Sequence, residues 1–183
     1  MTDLRVVVRP TDELGPDLTA DLIGLCEAAF GEPFAAAWEQ VGPGLHVIGE
    51  VGGQAVAHAQ IVDRRLYQGH EADLAIDVGY VESVATRPDV QRRGYATAVM
   101  RRVGEIIAEE YALGGLATGS NAFYERLGWQ TWRGPVGIRM PDGERVHDPD
   151  EDGHVMVLRT SRSPAGLSMD APVFVDWRPG NPW

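Results

Sequence analysis

The run VESVATRPDVQRRGYA, residues 81–96, constrains the fold more than any other stretch of the chain. Strand-like residues lead into an arginine-bearing turn with one glycine, and the turn opens directly onto a helix. In that helix Ala96, Val99, Met100, Val103, Ile106 and Ile107 recur at spacings of three and four, while Arg101, Arg102, Glu105 and Glu109 take the opposite face. The first turn of any helix has unpaired backbone N–H groups and a partial positive charge, which together suit a phosphate. Gly94 and Ala96 leave room for a pyrophosphate to reach those amides, and Arg92 and Arg93 add charge. No Gly-Lys-Ser/Thr follows the glycine, which argues against a magnesium-bound nucleotide.

The segments around this unit predict a mixed α+β arrangement. Val6–Val8 read as a strand. Leu18, Leu22, Leu25, Cys26, Ala29 and Phe30 mark one face of a helix from Pro16 to Phe30, ended by Gly31. A second short helix is expected over Phe34–Val41. Two β-branched runs split by Gly52-Gly53 predict a hairpin over residues 45–62. Residues 72–86 predict a long strand, with Gly79 inside it as the expected bulge. Gly114-Gly115 reads as the stop of the helix that begins near Ala96, with a short strand after it. NAFYERLGW reads as a further helix ending at Gly128. Strand-like pieces follow at Val136–Met140, Val155–Leu158 and Val173–Asp176, around the charged loop HDPDEDG. The order β-α-α-β-β-β-α-β-α-β is not a series of βαβ units.

A length of 183 residues suits one domain, here residues 1–183. No apolar run approaches the ~20 residues a membrane-spanning helix needs, and the start MTDLRVVVRP lacks the basic-then-apolar order of a secretory signal. Cys26 is the one cysteine, so no internal disulfide forms and a cytoplasmic setting is expected. A formal net charge of -11 repels nucleic acid and anionic membrane and attracts cations. No His/Cys/Asp spacing points to a metal site.

Gln91-Arg92-Arg93-Gly94-Tyr95-Ala96 resembles the Q/R-x-x-G-x-G/A pyrophosphate loop of the GCN5-related N-acetyltransferases (GNATs). The strand before it and the NxFYxxLGW helix (Asn121 to Trp129) after it extend the resemblance over residues 72–130. It implies a mixed central sheet splayed at a bulged strand and flanked by helices, with acetyl-CoA as co-substrate. Backbone groups of Val84, Ala85 and Thr86 would then hold the pantetheine arm and polarise the thioester carbonyl, while Gln91 to Ala96 hold the pyrophosphate.

Farther out, the pieces GLHVI, AVAHAQIVDRRLYQG, GYVESVA, FYERLGWQTWRGP, DEDGHVMVL and DWRPGNPW look like the aminoglycoside 2'-N-acetyltransferases, over roughly residues 28–183. The resemblance implies transfer to the 2'-amine of a polycationic drug, with Glu82 as general base through water and Tyr124 as general acid. It also implies a homodimer. Glu32, Glu82, Ser83, Asp150, Glu151, Asp152 and Trp183 (through its carboxylate) are the expected drug-facing groups. Two positions depart from the pattern: Ala37 and Asn181 stand where aspartates are expected, and each removes a negative charge. They favour the alternative of a different amine, such as a polyamine, an amino sugar or a peptide N-terminus. A binding module for a cationic drug or acetyl-CoA is the non-enzymatic alternative, against which the presence of Glu82 and Tyr124 counts. His46 and His58 lie on predicted strands, either as substitute bases or as buried hydrogen-bonded residues, and Cys26 belongs to the apolar face of the first helix.

Overall fold

Gly52 and Gly53, at φ 60° and 80°, turn the chain between β2 (Leu45–Val51) and β3 (Gln54–Gln68). The expected hairpin forms, but β3 continues beyond Val62 because its polar residues keep the strand alternation. Asp63 and Arg65 stand on the exposed face and Leu66 and Gln68 are buried. The computed structural model describes residues 4–69 and 74–183. The chain forms two compact units, Met1–Val62 with Val81–Glu105, and Asp63–Tyr80 with Ile106–Trp183. Strands β3 and β4 (Leu74–Thr86) and helix α3 (Tyr95–Glu110) supply residues to both. The part of the predicted 72–86 strand before Leu74 lies outside the described residues.

In the first unit β1 (Arg5–Pro10) pairs antiparallel with β2, which pairs antiparallel with β3 and carries an irregularity at Gly49/Glu50. Helix α1 (Gly15–Phe30) buries Leu22, Leu25 and Cys26 and stops where Gly31 turns left-handed at φ 77°. Helix α2 (Ala35–Val41) follows. Leu14, Leu22 and Ile48 form one apolar cluster, against which Val7, Leu18 and Trp38 pack; Leu25, Cys26 and Ala85 form another, joined by Ala29 and Phe34. Each fully buried aliphatic side chain contributes about 1.5–3 kcal/mol. Helix α3 approaches β2 at Gly49, where a Cβ would stand 3.2 Å from the Val99 side chain.

The second unit holds β5 (Leu113–Ala117), α4 (Asn121–Glu125), β6 (Gln130–Thr131), β7 (Val136–Arg139), β8 (Arg145–His147), β9 (Val155–Arg159) and β10 (Val173–Asp176). Its strand order is β6-β9-β5-β4-β3-β10-β7-β8. The β4–β5 and β10–β7 pairs are parallel, and β5–β9, β6–β9, β3–β10 and β7–β8 antiparallel. A mixed sheet with helices is the α+β class expected. Trp132, 1% exposed, donates its indole N–H to the Ala171 carbonyl at 2.8 Å.

Three local expectations are corrected. Helix α3 ends at Glu110, and Gly114 and Gly115 lie inside β5, fully buried. A Cβ on Gly115 would meet the Tyr80 ring at 2.9 Å, and one on Gly114 would meet Ile107 and Trp129 at 3.0 Å, so close packing and not a turn selects these glycines. Gly79 pairs regularly with Gly114; its missing Cβ makes way for the Tyr111 ring, and the irregular residue of β4 is Ser83. The NAFYERLGW helix is only Asn121–Glu125, after which Leu127 and Gly128 close turns on Tyr124 and Glu125. No helix among the described residues is long and apolar enough to cross a membrane.

Candidate active site

The turn after β4 is braced at its base. The Arg87 N–H donates to Val56 O at 3.0 Å, its guanidinium pairs with Asp89 at 2.6 Å, and Gln91 Nε2 donates to Thr86 O at 3.3 Å. Beyond this brace, Arg92 and Gly94 are both left-handed, at φ 62° and 85°. Left-handed residues in such a turn bend successive amides toward a concavity of the kind that binds anions. Helix α3 makes its first backbone bond from Ala98 N–H to Gly94 O, so the amides of Tyr95, Ala96 and Thr97 precede the helical ladder. Gln91, Arg92, Arg93 and Gly94 are exposed, Tyr95 and Ala96 are half-buried, and a Cβ at Gly94 would find nothing within 4 Å. The loop is open, cationic and rich in unladdered donors.

Upstream, β4 pairs with β5 over Val78–Tyr80. Glu82 follows, half-buried, and then Ser83 adopts φ 54°, a conformation costing about 1–3 kcal/mol for a residue with a side chain. Ser83 Oγ is buried with no hydrogen-bond partner among the described residues, and the Ser83 carbonyl lies 3.0 Å from His58 Nδ1. Val84 and Thr86 are half-buried; Ala85 is anchored in the cluster with Leu25 and Cys26. Cys26 stays a thiol, since burial, with the Glu27 charge adding to it, raises its pKa to about 12. It is core, as its helical face implied.

Tyr124 sits on α4, 7% exposed, with Phe123 and Trp129 edge-on to its ring. Burial raises its pKa to about 12 against a smaller opposing pull from the Thr118 hydroxyl, so at neutral pH it keeps a proton to give. Asn121 anchors the start of α4 by donating to Thr131 Oγ1 at 3.0 Å and Gly153 O at 2.9 Å.

The predicted drug-facing groups differ in their freedom. Glu32 is exposed just after α1, in the first unit with Glu82 and Ser83. In the second unit, Asp150 and Glu151 lie in a 3-10 turn, Asp150 exposed and Glu151 half-buried. Burial, and then Asp148 and Asp150 beside it, raise the Glu151 pKa. Asp152 is committed within the fold: one oxygen accepts the Val136 N–H at 3.0 Å and the other faces His147 Nε2 at 2.9 Å. Trp183 is 3% exposed, its backbone N–H donates to Asn181 Oδ1 at 3.0 Å, and its indole nitrogen is buried with no partner among the described residues. A cavity of about 310 Å³ in the first unit is bordered by Asp21, Gly24, Gln54 and Arg87, and none of the predicted drug-facing carboxylates lines it. Among the described residues no group of three or more His, Cys, Asp or Glu is set to hold a metal ion.

One arrangement exceeds what the sequence pattern conveyed. Thr11, His46 and His58 form a file of hydrogen bonds of 2.9–3.0 Å that ends on the Ser83 carbonyl, and the Trp38 ring lies against both imidazoles, with centroids 5.0 Å and 5.6 Å away. Counted outward from the Gly52-Gly53 turn, a regular hairpin would set His46 against Ala59 and His58 against Val47, on opposite faces; the register shift at Gly49/Glu50 brings both histidines to one face. Pairing them with Ser83 required the conformation of β4.

Comparison with known proteins gives these features a context. Residues 12–132 match the family model described as an acetyltransferase (GNAT) domain. The chain is 37% identical over 161 residues to an aminoglycoside 2'-N-acetyltransferase from Mycolicibacterium fortuitum, covering 86% of this chain and 80% of that protein. Among solved structures, a GNAT family N-acetyltransferase from Escherichia coli in complex with CoA aligns over 94% of this chain and 91% of its own, at TM-score 0.65 and 16% identity. A GCN5-related N-acetyltransferase from Kribbella flavida aligns over 71% of this chain at TM-score 0.57 and 20% identity; this chain spans about a third of its length, 33%.

Proposed function

Because the chain belongs to the GNAT acetyltransferases, we propose that it moves the acetyl group of acetyl-CoA onto an amine of an aminoglycoside, at the 2' position. The observation that carries the reading is the open start of α3, where left-handed Arg92 and Gly94 expose amides beside two arginines. The likeness to the Mycolicibacterium fortuitum enzyme supports the substrate class.

In this reading Gln91 to Ala96 hold the pyrophosphate, and the backbone of Val84 to Thr86 holds the pantetheine arm. An amide aimed at the thioester oxygen stabilises the developing charge, a contribution of about 3–4 kcal/mol for one donor. Glu82 takes a proton from the substrate ammonium through water, a form of help that contributes about 10²–10⁴ in rate. The freed amine attacks the carbonyl carbon, the C–N bond forms, the nitrogen sheds its second proton to solvent and the C–S bond breaks. Tyr124 gives its proton to the departing thiolate, and solvent restores it. Glu32, Ser83, Asp150, Glu151 and the Trp183 carboxylate face the drug. Asp152 contributes field more than contact, since its oxygens are already engaged. We read residues 1–183 as one functional domain, acting as a cytoplasmic homodimer.

Ala37, Asn181 and the engaged Asp152 all thin the negative charge on the amine side, which favours a second reading: the same chemistry on a less cationic amine. Release of CoA thiol, followed across aminoglycosides, polyamines and amino sugars, separates the two. Turnover fastest on aminoglycosides bearing a 2'-amine is expected. Turnover confined to monoamines discards the drug, and no thiol release with any amine discards the transferase reading.

A further inference from the structure

A file of hydrogen bonds crosses the first unit and ends on the backbone of β4. Thr11 Oγ1 lies 2.9 Å from His46 Nε2, His46 Nδ1 lies 2.9 Å from His58 Nε2, and His58 Nδ1 lies 3.0 Å from the Ser83 carbonyl oxygen. Both imidazoles are 0% exposed, and Trp38 stacks on His46 with centroids 5.0 Å apart. The register explains their meeting. His46 pairs with Gln60 and His58 with Ile48, so the rings are diagonal neighbours on one face of the hairpin.

Counting protons gives the file a direction. A carbonyl only accepts, so His58 Nδ1 must carry the hydrogen. Burial keeps both rings neutral, lowering His46 to about 4 and His58 to about 3, and a neutral imidazole has a single N–H. His58 Nε2 therefore accepts, His46 Nδ1 donates to it, His46 Nε2 accepts, and the Thr11 hydroxyl donates. The reverse order would set a ring lone pair against the Ser83 carbonyl at 3.0 Å. Thr11 is itself held: Gly44 N–H donates to its oxygen at 2.9 Å, and its single hydroxyl hydrogen is shared between His46 Nε2 at 2.9 Å and the Gly44 carbonyl at 3.1 Å.

The file ends at the one residue of β4 whose backbone is strained. Ser83 has φ 54°, and its own hydroxyl makes no hydrogen bond among the described residues that would support the turn. We propose that His58 is a positioning residue: by clamping the Ser83 carbonyl it fixes the left-handed step from which the Val84–Thr86 amides meet the thioester. The proposal rests on the acetyl-transfer reading above. It gives His58 no proton to move during turnover, and so separates it from Glu82.

Two measurements test it. Nitrogen-15 NMR of histidine-labelled protein should show both buried imidazoles protonated at Nδ1, and the Nε2–H form at either overturns the file. In kinetics, His58→Leu should lower kcat at least tenfold with little change in the Michaelis constant for the amine. His58→Asn places an amide N–H where Nδ1 stood and should recover most of the rate, with the pH–rate profile unmoved. His58→Gln, whose amide falls at the Nε2 position, should not. Equal kcat in all three variants, or loss in His58→Asn of the low-pH limb that reports the general base, overturns the proposal. Should His58→Leu fail to fold, Thr11→Val removes the donor at the far end and leaves both rings in place. A several-fold fall in kcat is expected there, and an unchanged kcat overturns the proposal. If the parent chain acetylates no amine, the acetyl-transfer reading has failed, and the file stands or falls on the NMR.

Discussion

Arg92 holds a backbone conformation that arginine resists, and a loop with an ordinary helix start would not need it. Its φ of 62° beside the 85° of Gly94 curls the amides outward, and no residue type in QRRGYA announces that an arginine takes this role. Chemistry was legible at this scale, conformation was not: the arginines and the glycine pointed to a phosphate, while the strained Ser83 carried no sequence mark. Gly94→Val should weaken acetyl-CoA binding sharply, because a branched side chain at positive φ costs about 1–2 kcal/mol and fills the open space the pyrophosphate would use. Isothermal titration with acetyl-CoA checks this, and unchanged affinity would remove the loop from the site. Glu82→Gln should keep acetyl-CoA affinity and lose the base limb of the pH–rate profile, since an amide cannot take the proton. A profile like the parent's would place the base elsewhere.

Elements with strong periodicity, α1 and α3, and the glycine-turned hairpin were readable from spacing. The misreadings share a cause: glycines at 79, 114 and 115 look like punctuation, yet each is buried in a strand where a neighbouring ring or methyl occupies the Cβ position. Strands β6 and β8 are too short to show alternation at all. The acidic turn illustrates a related limit, because composition lists Asp150, Glu151 and Asp152 as equals whereas the fold engages Asp152 to start β7. Asp152→Ala should therefore lower stability by about 1–3 kcal/mol, the cost of leaving a partly buried N–H unpaired, and Asp152→Asn should recover most of it. Glu151→Ala should raise the Michaelis constant for the drug with little change in stability. Urea unfolding set beside kinetics for the three variants separates these effects, and equal stability of Asp152→Ala and parent would return Asp152 to the drug.

For the molecule as a whole, the buried histidines couple folding to acidity. Both have folded pKa values below the ordinary 6.5, His46 about 4 and His58 about 3, so between pH 6.5 and 4 the unfolded chain binds protons the folded one refuses. Stability from this pair is complete above 6.5 and declines as pH falls, by up to about 1.4 kcal/mol per pH unit for each ring. Urea midpoints measured from pH 7.5 to 5 should fall, and more shallowly in His58→Leu; a flat series would show that the rings are not held neutral. The strands left at the margins bear on a different risk. Within the second unit β6 and β8 have two and three residues, and within the first the outer strand β1 carries Arg5, Arg9 and Pro10. Stubs and charged, proline-ended edges are poor templates for another chain's backbone. The folded protein therefore offers another chain little to extend, and strand-to-strand association falls to the unfolded fraction.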